Sequence, residues 1–189
     1  TPSPMEPFVL QNGRPPKNRA STRCKMFWAW LTSCLPDPAI PSMPSSSPTD
    51  SSGIYISLGS NIGEPLENLR EGARRLRSLV GPSIRLSRPW ITTPVDCPPG
   101  SPPFANAALQ IVPAEPMSPL ELLDRCQTIE QELGRRPKKV VNEARQLDLD
   151  IIAFHQETSN TPQLLLPHPR AHERFFVLAP LNDLCPQLV

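Results

Sequence analysis

The sequence predicts an α+β domain: an antiparallel sheet in the order β-α-β-β-α-β with both helices packed on it, the ferredoxin-like arrangement. Three observations predict it. Four short β-type runs occur after Gly53, two stretches of helical periodicity separate them, and the texture of the chain changes abruptly at that glycine.

Upstream of Gly53 the chain is rich in proline and serine, as in "PSMPSSSPTDSSG", and proline occurs 27 times in the whole sequence. Such a composition buries too little apolar surface to offset the entropy lost on ordering. Residues 1–52 therefore read as a disordered extension, or an artefact preceding the domain, with Met43 a sensible domain start. The domain is expected over residues 53–189.

Each element has its own signal. "GIYISLGS" is a β-type run ending near a glycine. In "EPLENLREGARRLRSLVG" the residues Leu66, Leu69, Ala73, Leu76 and Val80 recur at helical spacing, with Pro65 in the first turn and Gly81 at the end. "SIRLSRPWIT" and "FANAALQIV" read as the second and third strands, joined by the long loop "TPVDCPPGSPP". Ser118, Pro119 and Glu121 form a capping-box start, Leu122, Cys126, Ile129 and Leu133 form a buried stripe, and Gly134 stops this second helix. The fourth strand is "RQLDLDII".

That strand carries the chemical question. Leu147, Leu149 and Ile151 alternate on one face, which leaves Asp148 and Asp150 together on the other. Adjacent carboxylates repel, and they lose hydration if covered, so a cationic partner is called for. Magnesium suits the pair because it takes one or two carboxylates and completes its shell with waters and phosphates. The competing reading is an edge strand with one solvated face.

Arg135, Arg136, Lys138, Lys139 and Arg145 lie in the polar loop just before this strand. Arginines and a metal pair converging on one anion are what polyphosphate transfer uses. No G-x-x-x-x-G-K-[ST] run occurs, so a P-loop is excluded, and "GSNIG" matches no phosphate-binding pattern well. Downstream, "LPHPRAHERFFVLAPL" sets His168 and Arg174 in a proline-framed loop, where restricted backbone favours a functional use.

The runs "YISLGSNIG", "FANAALQIV", "IEQELGRRPK", "RQLDLDII" and "LPHPRAHERFFVLAPL" together resemble the 6-hydroxymethyl-7,8-dihydropterin pyrophosphokinase family of folate biosynthesis, over residues 53–189. The resemblance implies transfer of the terminal pyrophosphate of ATP to the hydroxymethyl oxygen of the pterin, with release of AMP. It places Asp148 and Asp150 on two magnesium ligands serving two Mg²⁺ ions, and Arg135 and Arg145 on catalytic arginines. Gln127, Glu130, Lys138, His168 and Arg174 fall on ATP contacts. Thr92, Pro94, Val95, Phe104, Asn106 and Phe176 fall on the pterin pocket.

The chain departs from the family at "NEARQ", where Asn142, Glu143 and Ala144 stand in place of a Trp-Gly-Pro run, and at Pro137 and Gln163, where some members have arginine. It also ends at Val189, short of the family's last segment. A catalytically weak or inactive ATP- or pterin-binding homologue is the alternative these departures raise. A ferredoxin-like RNA-binding module is a third reading, but a net charge of +1 across 189 residues argues against nucleic-acid partners.

Five widely spaced cysteines with no C-x-x-C pair argue against a disulfide framework or zinc site. Cys126 is expected to be a buried helix position. No apolar run reaches the length of a membrane span; "MFWAWLTSCL" is too short. The expectation is a monomeric, cytoplasmic enzyme with small-molecule substrates, no nucleic-acid partner and no membrane association.

Overall fold

A computed structural model describes residues 53–135 and 143–189. The proline- and serine-rich segment 1–52, and Lys138 with the rest of 136–142, lie outside the described residues.

The domain is α+β and its main sheet is wholly antiparallel. The strands are β1 (Ile54–Ser60), β2 (Ile84–Leu86), β3 (Trp90–Thr92), β4 (Phe104–Ile111) and β5 (Asp148–Phe154), with α1 (Pro65–Val80) and α2 (Pro119–Glu132) between them. Sheet order runs β2-β4-β1-β5, and β3 also pairs with β4. A two-stranded ribbon, β6 (Ser159–Asn160) with β7 (Leu165–Leu166), precedes α3 (Phe175–Leu184).

Both faces of the sheet are covered, and strand alternation shows how. Ile54, Ile56 and Leu58 of β1 and Ala105, Ala107, Leu109 and Ile111 of β4 pack with Leu69, Leu76 and Val80 of α1 and Leu122, Cys126 and Ile129 of α2. Their neighbours on the opposite face, Tyr55 and Ala108, pack with Val177, Leu181 and Leu184 of α3. Each fully covered Leu or Ile side chain contributes roughly 1.5–3 kcal/mol relative to exposure. Cys126 is buried as expected, and burial pushes its thiol up to about 12, so it is chemically quiet.

The second helix starts as its sequence indicates. Ser118 accepts from the Glu121 N–H, and the Glu121 carboxylate accepts from the Ser118 N–H at 2.7 Å. Two other elements differ from expectation. The second strand is split, because Ser87 takes both contacts with Ala108 itself: its N–H donates to the Ala108 carbonyl, its Oγ accepts from the Ala108 N–H, and Pro89 then lacks a donor. The "LPHPRAHERFFVLAPL" segment is not a loop throughout. Its second half is α3, which runs through Pro180, so Arg174 is that helix's N-cap residue and Phe176 lies in its first turn.

Strand β5 also carries a register shift opposite Tyr55 and Ile56. Ile152 shares the α3 side with Asp148 and Asp150 by plain alternation; the shift puts Ala153 on that side as well and returns Phe154 to the α1–α2 core with Leu149 and Ile151. Among the described residues no helix is long and apolar enough to cross a membrane.

Candidate active site

Strand β5 is the edge of the sheet, yet its polar face is only partly open to solvent. Asp150 lies opposite Ser57 and Asp148 opposite Gly59, and directly opposed residues of an antiparallel ladder share a face. Leu149 and Ile151 point the other way, each 4% exposed. The two carboxylates are therefore neighbours on the α3 side of the sheet, beyond the part that α3 covers.

Their surroundings are charged. Arg145 donates to Asp148 Oδ1 at 2.6 Å, and the Arg135 guanidinium lies 3.5 Å from the same oxygen. Burial, and then the Asp148 charge, raises the Asp150 carboxyl above its ordinary range, while His168, Arg174 and Arg145 act to lower it. So charges from three separate segments act on the acidic pair: Arg145 from the strand's lead-in, His168 from the loop after β7, and Arg174 from the start of α3.

The fold fixes several of these groups through the backbone. The His168 N–H donates to the Ile152 carbonyl at 2.9 Å, which ties its loop to β5. Its Nδ1 accepts from the Arg170 N–H at 3.2 Å, which leaves Nε2 as the ring's donor. The Arg174 guanidinium lies 5.6 Å from the Phe176 ring centroid, a cation–π contact that orients it.

Glu130 has a place the sequence did not disclose. It is 2% exposed at the end of α2, where Oε1 accepts from the Leu149 N–H at 2.8 Å and Oε2 pairs with Arg135. Both oxygens are thus engaged within the protein, joining α2 to the acidic strand and aiming Arg135 at Asp148. Burial pushes its carboxyl up to about 7, with Asp148 adding to the rise and the Leu149 N–H and Arg135 opposing it. Gln127, one turn earlier on α2, is exposed.

A second group of residues continues along the same sheet face. Gly59 faces Asn106 on β4, and Asn106 faces Trp90 on β3. Asn106 and Thr92 are buried, and the Asn106 amide donates to Thr92 Oγ1 at 2.8 Å. Phe104 lies opposite Thr92. Gly59 separates the carboxylates from this group: a Cβ there would stand 3.3 Å from Asn106 Oδ1 and 3.9 Å from a Phe104 ring carbon.

Trp90 and Phe175 meet edge to face at 6.2 Å, and Trp90 Nε1 donates to Asp183 at 3.0 Å. Neither aromatic was singled out from the sequence, because their contact joins β3 to a helix that was not foreseen. Of the other residues assigned to this side, Phe176 packs partly against the α3 core, Pro94 is half-buried and Val95 is 53% exposed in the long loop.

A carboxylate pair ringed by cations, beside a buried amide, a hydroxyl and aromatic rings, suits a ligand that is anionic at one end and flat and polar at the other. The model of the 7,8-dihydro-6-hydroxymethylpterin-pyrophosphokinase family matches residues 55–186. The chain belongs to this pyrophosphokinase family.

Relatives in the pyrophosphokinase family include the 2-amino-4-hydroxy-6-hydroxymethyldihydropteridine pyrophosphokinase of Bacillus subtilis (strain 168), 41% identical over 135 residues, covering 71% of this chain and 78% of the relative. The Haemophilus influenzae protein of the same name is 34% identical, covering 71% of this chain and 82% of the relative. A folate synthesis bifunctional protein of Arabidopsis thaliana is 37% identical over 69% of this chain, and the match spans 26% of that longer protein.

The donor set fits the divalent ion associated with such chemistry. Asp148 and Asp150 offer carboxylate oxygens on one face, and the burial and mutual repulsion that raise Asp150 are what a cation would offset. Among the described residues no group of three or more His, Cys, Asp or Glu converges as ligands. Two carboxylates completed by waters and phosphates match the habit of magnesium.

Proposed function

We propose that this protein transfers the terminal diphosphate of ATP to the hydroxymethyl oxygen of 6-hydroxymethyl-7,8-dihydropterin, releasing AMP. The observation that carries the reading is that Arg145, His168 and Arg174 all act on the half-buried Asp148–Asp150 pair. The pterin hydroxyl oxygen bonds to the β-phosphorus, the bond from that phosphorus to the α-bridging oxygen breaks, AMP leaves with that oxygen, and the hydroxyl proton is released.

Asp148 and Asp150 would hold Mg²⁺, two ions in our reading, which would neutralise the triphosphate and favour ionisation of the hydroxyl. Arg135 and Arg145 stabilise the charge that gathers on the β-phosphoryl oxygens. His168 and Arg174 hold the phosphates, with Gln127 and Lys138 on the nucleotide. Glu130 keeps Arg135 aimed. Asn106 and Thr92 read the polar edge of the pterin, and Phe104 and Phe176 flank its ring with the Pro94–Val95 loop segment. The domain is a ferredoxin-like variant with a helix added on the second face, acting as a monomer in the cytoplasm.

ATP labelled at the β-phosphorus tests the reading. The label should pass to the pterin diphosphate and leave unlabelled AMP. Label recovered in ADP, or no transfer by folded protein, would overturn it.

A further inference from the structure

We propose that Asn61 is a positioning residue that fixes the backbone of Arg145 and links it to the proline-rich loop on the pterin side; the proposal rests on the pyrophosphokinase reading above. Asn61 follows β1 directly and is 3% exposed. Its Oδ1 accepts from the Arg145 N–H at 2.9 Å, and its own N–H donates to the Arg145 carbonyl at 3.1 Å. One residue therefore holds both polar groups of the Arg145 main chain. Its Nδ2 donates to the Pro102 carbonyl at 3.4 Å, a longer and weaker bond into the 93–103 loop.

Asn61 is itself held from both sides. Asn68, in the first turn of α1, donates through Nδ2 to Ser60 Oγ at 3.1 Å and to the Ile62 carbonyl at 2.8 Å. Gly63, at φ 67°, lets the chain turn into the helix. The route of constraint runs from α1 through Asn68 to Asn61, then to the Arg145 backbone, and through the Arg145 guanidinium to Asp148 at 2.6 Å. "GSNIG" is on this account a clasp for the arginine-bearing segment. An amide serves both bonds, offering an acceptor to Arg145 and a donor to Pro102 from one short side chain.

The test separates the two bonds. Asn61→Ala removes both, and kcat should fall about 10- to 100-fold with the KM for ATP changed less than about threefold, the cost of a misplaced catalytic group. Asn61→Asp keeps the acceptor for Arg145 and loses the Pro102 donor, so it should recover most of the lost kcat. Unchanged kcat in the Ala variant, or equal loss in both variants, would overturn the proposal.

Amide hydrogen exchange of the unaltered protein supplies a readout free of activity and of variant folding. The Arg145 N–H should exchange far more slowly than an unprotected peptide amide. Exchange at the unprotected rate would overturn the proposal even if the enzyme proves active, and slow exchange would sustain the clasp even if it proves inactive.

Discussion

Asp148 and Asp150 are costly neighbours, and the cost explains what surrounds them. Burial and mutual charge disfavour ionisation of Asp150, and Arg145, His168 and Arg174 offset this. Replacing Asp150 by Asn should leave the fold intact and lower turnover by at least about 100-fold, the scale of losing a group that organises transition-state charge. Steady-state kinetics with circular dichroism would check both halves. Arg145→Ala should lower kcat by roughly the same factor with little change in the KM for ATP if, as proposed, the guanidinium acts on charge that develops during transfer; an effect confined to KM would contradict that role.

Glu130 makes a prediction in pH. Its folded carboxyl is raised from the ordinary 4.5 to about 7, so the folded state binds that proton more tightly than the unfolded chain does. Its contribution to stability is present in full below the ordinary value and is lost as pH rises through the raised one. Urea unfolding at about pH 5 and about pH 8 should show stability falling with pH, and Glu130→Gln should flatten that slope. Parallel slopes for the two proteins would contradict the assignment. At this scale the shared face of Asp148 and Asp150 was legible, since two aspartates at period two announce themselves. It did not disclose that Glu130 is buried against Arg135 and the Leu149 N–H, because a charged residue at a helix end reads as exposed.

At the scale of elements, local codes decided what could be read. α2 was legible from Ser118, Pro119 and Glu121, whose capping geometry is local to four residues. Ser118→Ala should cost about 1 kcal/mol, and Leu122→Ala, at a fully buried position, about 2–5 kcal/mol; chemical denaturation of both would check the order. By contrast, the break of the second strand at Ser87 depends on a side chain that competes for ladder bonds with Ala108, a partner 21 residues away. α3 was hidden by Pro180, which signals a helix end in any window and is accommodated here because its neighbours Val177, Ala179, Leu181 and Leu184 are buried against the sheet.

Over the whole molecule, the sheet is an instrument of alternation. One face packs α1 and α2, the other packs α3 over part of its length, and the site occupies the remainder of that second face. The row from Asp148 through Gly59 to Asn106 and Trp90 crosses three strand pairings, so its assembly could not be read from any single segment. Gly59→Ala tests that row: the added methyl would press on Asn106 Oδ1 and should raise the KM for the pterin more than the KM for ATP.

The central proposal is that the acidic pair organises diphosphate transfer. The most direct measurement is AMP release from ATP, Mg²⁺ and the dihydropterin, by the unaltered protein and by a folded Asp148→Ala, Asp150→Ala double variant. AMP should appear in step with pterin diphosphate from the first and essentially not at all from the second. Equal rates from the two proteins would contradict it.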